Sequence, residues 1–113
     1  MTTYNYADVH GSKMFYREAG DKSAPTIVLL HGFPTSSHMY RNLIPLLAKN
    51  FHVIAPDYIG FGYSAAPKAA DFTYTFDNLA AHVERLLFGV LGLKKFGIYV
   101  QDYGAPVGYM LAV

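Results

Sequence analysis

The chain contains no cysteine and no tryptophan, and only 15% of its 113 residues are charged. The missing cysteine excludes a disulfide framework, thiolate chemistry and a thiolate metal site, and leaves the compartment undetermined. Lysine and arginine are scattered, Lys94-Lys95 is the only adjacent basic pair, and the net charge is +1. That pattern argues against a nucleic-acid partner or an anionic membrane surface. No apolar run approaches the length of about 20 residues that spans a bilayer. Met1-Thr2-Thr3-Tyr4 has no basic start leading into an apolar core, so a signal peptide is not expected and a cytoplasmic location is the default.

What the chain does have is apolar surface. Its hydrophobic fraction is 52%, high for a small domain, which needs much polar surface for its volume. Some apolar faces are therefore expected to be covered by further chain or by a partner. The length bounds the chain to one domain at most.

The order of elements is legible. Residues 4–10 and 14–19 read as a β-hairpin joined at Gly11-Ser12-Lys13. Thr26 to Leu30 is a continuous apolar run suited to a strand buried on both faces. A turn-rich loop, His31 to Ser37, follows. Met39 to Lys49 is helical in pattern, with Tyr40, Leu43, Ile44 and Leu47 on one side, and Pro45 predicts a kink or a late helix start. Phe51 to Ala55 reads as a second buried strand, and Pro56 to Pro67 as a long loop. Thr75 is placed to cap a helix through Leu91. Phe76, Leu79, Ala80, Val83, Leu86, Leu87 and Val90 form its apolar stripe, and Gly92 stops it. Phe96 to Val100 reads as a third buried strand, and Pro106 opens a last helix. Such an order predicts an α/β fold: a mostly parallel sheet with an antiparallel N-terminal hairpin and helices on both faces.

Three junctions carry the chemistry. The first is Tyr99-Val100-Gln101-Asp102-Tyr103-Gly104-Ala105-Pro106, a strand turning sharply into a helix. It has the shape of a nucleophile elbow, with aspartate where serine is commoner. Aspartate tolerates the positive φ of such a turn, and the helix N-terminus favours its ionised form. An ionised carboxylate held this way can attack an electrophilic carbon and form an ester. By itself the junction also fits an aspartate that only caps a helix. The second, His31-Gly32-Phe33-Pro34, directly follows a buried strand and also fits a plain connection. The third, Asp57-Tyr58-Ile59-Gly60-Phe61-Gly62-Tyr63-Ser64, lacks the GK[ST] of a phosphate loop and reads as a structural wall.

Together the motifs stand in order, each at the C-terminal end of a strand, where sites on parallel sheets form. At this point the chain resembles the α/β-hydrolase superfamily, and within it the branch with an aspartate nucleophile, the epoxide hydrolases and haloalkane dehalogenases. The resemblance spans all 113 residues and implies the N-terminal portion of such an enzyme. It implies residues 1–113 as a truncated core domain, without the cap and the C-terminal catalytic part. It implies Asp102 as nucleophile, the backbone amides of Phe33 and Tyr103 as oxyanion hole, and His31, Gly32, Pro34 and Gln101 around the substrate. No metal and no cofactor are implied. In dehalogenases a tryptophan beside the nucleophile, and often an asparagine in the HG-x-P loop, hold the leaving halide. Here Tyr103 and Phe33 stand there, which turns the expectation toward a small apolar epoxide, with a haloalkane as the alternative.

The family's catalytic acid and histidine find no match. His10, His31, His38, His52 and His82 all lie away from that position, and His31, His10, His52 and His82 read as structural, with His38 near the pocket mouth. The chain alone is therefore expected to be inactive or to stop after one ester-forming step. An apolar elbow strand at a sheet edge also predicts a homo-oligomer, and a non-catalytic, self-associating half-domain is the alternative from a different class.

Overall fold

The computed structural model describes residues 2–31, 36–66, 75–94 and 96–100. Five strands form one sheet: β1 (Thr3–Val9), β2 (Ser12–Ala19), β3 (Thr26–Leu30), β4 (His52–Pro56) and β5 (Gly97–Val100), in the order β1-β2-β4-β3-β5. The β1–β2 and β2–β4 pairs are antiparallel, and β3 is parallel to both β4 and β5. The expected mixed sheet is thus present.

The hairpin turns more tightly than the composition suggested. Val9 pairs with Ser12, so His10 and Gly11 alone make the turn, with φ of 50° and 83°. Two positive φ values are the condition of a type I′ turn, whose twist matches that of the strands. Ser12 and Lys13 therefore belong to β2 and not to the connection.

Side chains alternate across the sheet and feed two cores. Val28 and Leu30 of β3, Ile54 of β4, and Val9, Met14 and Tyr16 of the hairpin face one side. Leu29, Val53 and Ala55 face the other, against Tyr40 and Ile44. Every residue of β4 is buried, as a strand covered on both faces requires. Each Val, Leu or Ile so buried contributes about 1.5–3 kcal/mol by removal of apolar surface from water.

A helix covers each core. On one face a single 3-10 turn (Ser37–Tyr40) leads to α1 (Leu43–Leu47). Pro45 sits in the first turn of α1, where its missing N–H would have had no intrahelical partner, so the late start expected for Pro45 is what occurs. On the other face α2 (Phe76–Glu84) begins at Thr75, whose side chain accepts from the Asn78 amide at 3.1 Å. Leu79, Ala80, Val83, Leu86 and Leu87 are buried as the stripe predicted.

Two expectations need correction. From Arg85 to Val90 the helix continues as π-helix, with the Leu91 amide bonded to the Leu86 carbonyl. The wider turn rotates Val90 off the apolar face, and it is 43% exposed. Gly89 lies in this turn with the Arg85 side chain folded over the space that a Cβ would occupy. The strand expected from Phe96 begins at Gly97 and is not buried throughout. Among the described residues β5 pairs with β3 alone, and Tyr99 is 51% exposed. The helix expected from Pro106 lies outside the described residues.

Candidate active-site floor

The parallel strands β3, β4 and β5 end side by side. Leu30 is in register with Val100, so the chain leaves the sheet toward residues 32–35 and 101–113 from neighbouring strand ends. Of the expected site residues, His31 is described. Gly32, Phe33, Pro34, Gln101, Asp102 and Tyr103 lie outside the described residues.

His31 follows β3 directly and is fully buried. Its Nε2 accepts a hydrogen bond from the Tyr58 amide at 3.1 Å. An amide can only donate, so Nε2 carries no proton and the ring proton sits on Nδ1. The imidazole tilts against the Tyr58 ring at 4.1 Å and reaches Phe61 at 5.4 Å. The loop after β3 is thereby tied to the loop after β4.

A second tie is stronger and was not foreseen. Asp57, the first residue after β4, is fully buried. One carboxylate oxygen accepts from the Ser37 amide at 2.6 Å and the other from the Tyr63 amide at 2.9 Å. The Asp57 amide donates to the Phe15 carbonyl at 2.8 Å, and the Ser64 hydroxyl donates to the Asp57 carbonyl at 2.7 Å. Ser64 Oγ in turn accepts from the Phe15 amide at 2.8 Å. Gly62 closes this cage at φ 54°, and a Cβ there would strike the Asp57 carboxylate. The expectation that this segment is a structural wall holds in its geometry. Its buried carboxylate escaped the sequence because an aspartate among glycines reads as a solvated turn. The available signal was its position, immediately after the apolar run 53–56.

Tyr40 and Tyr58 complete the floor. The Tyr40 hydroxyl donates to the Leu30 carbonyl at 2.7 Å, at the end of β3. Burial, then the nearby Tyr99, pushes the Tyr40 phenol up to about 12. The Tyr58 hydroxyl is buried without a hydrogen-bond partner among the described residues, and burial followed by Tyr40 drives its phenol far above the ordinary range. Both phenols are protonated at neutral pH. An orphaned buried hydroxyl costs about 1–3 kcal/mol. Tyr58→Phe is therefore expected to raise stability by about 1 kcal/mol in urea denaturation at pH 7. Raised folded-state values mean that the unfolded chain releases these protons first. Stability is full below about pH 10 and falls as pH rises above it. That alkaline fall should be shallower in Tyr58→Phe; an unchanged fall would contradict the burial of this phenol.

The described residues supply the floor and no reactive pair. Both Asp57 oxygens and His31 Nε2 are engaged by amides. His52 lies at the far end of the sheet, where Nε2 meets Glu18 Oε2 at 2.6 Å and Nδ1 meets Thr26 Oγ1 at 3.0 Å. His82 donates from Nδ1 to the Asn78 carbonyl at 2.8 Å, beside His10. His38 lines a cleft beside the hairpin, and the pocket mouth expected near it lies outside the described residues. No group of three metal-ligating side chains occurs among the described residues, and no helix there is long and apolar enough to cross a membrane.

The chain has close relatives. It is 53% identical over 103 residues to an uncharacterized hydrolase of Saccharomyces cerevisiae, an alignment that takes in 91% of this chain and 34% of that one. It is 39% identical over 111 residues to a soluble epoxide hydrolase of a Corynebacterium species, over 97% of this chain and 36% of the relative. Among solved structures, haloalkane dehalogenase DbeA from Bradyrhizobium elkani superposes with a TM-score of 0.92 at 38% identity, over 99% of this chain and 37% of that chain. This chain thus spans about a third of the length of the relatives it matches. Residues 25–113 match the model of the alpha/beta hydrolase fold family. With the sheet order, the paired faces and that match in agreement, the chain belongs to the alpha/beta hydrolase fold family, of which it represents an N-terminal portion.

Proposed function

We propose that residues 1–113 are the N-terminal part of the core domain of a hydrolase that opens small apolar epoxides through Asp102. The observation that supports this reading is the register of β5 on β3, in which Leu30 and Val100, the last strand residues before the two sequence motifs, stand side by side at neighbouring strand ends. A relative named haloalkane dehalogenase is 41% identical to this chain and one named soluble epoxide hydrolase is 39% identical, a margin too small to separate the two branches. The residue types expected at the site favour the epoxide branch. Phe33 offers no side-chain hydrogen to a halide, and Tyr103 offers only a phenol, where a dehalogenase would use N–H groups.

In the proposed first step a carboxylate oxygen of Asp102 attacks an epoxide carbon. A C–O bond of the ring breaks, and its oxygen leaves as an alkoxide that takes up a proton. The product is an ester on Asp102. Water attack on that ester carbonyl develops an oxyanion, which the Phe33 and Tyr103 amides are suited to hold. Activation of the water needs a general base, and by the resemblance none of the five histidines here fills that role. The ester should therefore persist on this chain. The Asp57 cage and the His31–Tyr58 bond act as positioning devices, since they anchor His31 and Ser37 on either side of the segment that contains Phe33.

Intact-mass measurement after incubation with a terminal epoxide, and separately a 1-haloalkane, tests the proposal. A stable adduct of the whole epoxide mass is expected, and it should vanish in Asp102→Asn. Labelling by the haloalkane with loss of halide would move the chain to the dehalogenase branch. No adduct from either reagent on folded protein would overturn the catalytic reading in favour of a non-catalytic, self-associating half-domain.

A further inference from the structure

We infer that the outer face of the β1–β2 hairpin carries a binding site for a small carboxylate with a flat apolar body, centred on Arg17. An open cleft of about 440 Å³ lies there, lined by Tyr4, Tyr6, Phe15, Arg17, His38 and Tyr63. Arg17 is only 6% exposed. Its Nε donates to Ser37 Oγ at 2.9 Å, and its guanidinium lies 5.0 Å from the Tyr4 ring centre and 5.7 Å from that of Phe15.

What Arg17 lacks is a counter-charge. The one ion pair among the described residues joins His52 and Glu18, and the terminal nitrogens of Arg17 have no acceptor there. Among the described residues only the Tyr58 hydroxyl is both buried and unbonded, so the Arg17 nitrogens that lack an acceptor reach solvent at the cleft, where an anion can meet them. The donors left over form a planar fork bordering the cleft. Such a fork suits an anion that accepts two parallel hydrogen bonds. The residues lining the cleft include no acidic side chain, and Lys13 Nζ lies 5.5 Å from the centre of the ring of Tyr6, one of the lining residues.

The rest of the lining selects among anions. Tyr6 and Tyr63 each meet Phe15 edge-on, with ring centres 5.2 Å apart, and Tyr4 stacks on Phe15 at 6.2 Å. Tyr4, Tyr6 and Tyr63 are largely exposed. Three exposed rings locked on a buried one give an aromatic wall at small entropic cost, suited to a flat apolar body. A carboxylate attached to such a body satisfies both halves of the cleft; a bare oxyanion satisfies only Arg17. The site is independent of Asp102.

Titration of the ¹⁵N-labelled chain with benzoate, benzyl alcohol and inorganic phosphate, followed by NMR, tests the inference. Benzoate should shift the Arg17 side-chain NεH signal saturably and bind about tenfold more tightly than either control. Arg17→Lys should weaken benzoate about tenfold, because an ammonium cannot supply the fork. Since Arg17 is buried and its replacement can unfold the chain, Tyr4→Ala at the exposed rim provides a second variant, expected to weaken benzoate several-fold. No saturable shift at Arg17, or equal affinity for benzyl alcohol, would overturn the site. Equal affinity for phosphate would overturn the carboxylate assignment, and an unchanged affinity in Tyr4→Ala would remove the aromatic wall from it.

Discussion

Replacing Asp57 by alanine is expected to lower the stability of the chain by about 3–5 kcal/mol, measured by urea denaturation. Two amides, the buried one of Ser37 and the partly buried one of Tyr63, lose their acceptor when the carboxylate goes. Each orphaned donor costs about 1–3 kcal/mol, and the void left by the side chain adds to that. Against a total stability of about 5–15 kcal/mol for a typical domain, such a loss is severe. Asp57→Asn keeps the shape and one acceptor oxygen, but turns an NH2 group toward one of the two amides, so about half the loss is expected. A change within about 0.5 kcal/mol for Asp57→Ala, the range of an ordinary surface substitution, would show that the carboxylate does not hold the two loops together.

Gly62→Ala should be nearly as damaging, by about 2–5 kcal/mol, for a steric reason with the same centre. The residue sits at φ 54°, and an added Cβ would collide with the Asp57 carboxylate, reaching 2.7 Å from its Cγ and 2.7 Å from Ser36 Cβ. Asp57 cannot swing aside without giving up both amides. Gly11 supplies the control: it also has positive φ, at 83°, but nothing lies within 4 Å of a Cβ placed there. Gly11→Ala should cost about 1–2 kcal/mol, the backbone strain alone. The two large effects should also be coupled. Trimming Asp57 to alanine removes its carboxylate from the path of the Cβ at position 62 and leaves only the contact with Ser36 Cβ, so the double variant should be more stable than the sum of the single changes by about 1 kcal/mol or more. Strict additivity would contradict the contact.

The sheet and its two helical layers were legible in the chain because their signals are chemical and local. Thr26–Leu30 and the run ending at Ala55 are uninterrupted apolar segments, which only a strand covered on both faces explains. Pro45 restricts where a helix can begin, and Thr75 marks where one does. The features that escaped depend on hydrogen-bond choices that composition does not display. His10 adopts positive φ where an Asn is the commoner first residue, so composition alone points to a turn that starts one residue later. The change to π-helix at Arg85 exchanges one carbonyl acceptor for the next, and Val90 leaves the apolar stripe as a result. Arg17 and Asp57 looked like solvated charges because a lone Arg in a strand and an Asp near glycines usually are. Their burial follows from what packs on them: the Tyr4 and Phe15 rings in one case, the backbone of Ser37, Tyr63 and Phe15 in the other. For the site itself, the order of the motifs was readable, while the cage that fixes the loop after β3 was not.

The central claim is that a carboxylate on the segment following β5 is the nucleophile of this chain. Proteolysis of the epoxide-treated protein, followed by fragment-mass sequencing of the labelled peptide, tests it most directly. The account predicts a single ester, located on Asp102 and absent from Asp57, whose oxygens are both engaged by amides. An ester on any other carboxylate, or label spread over several surface carboxylates in proportion to their exposure, would contradict it.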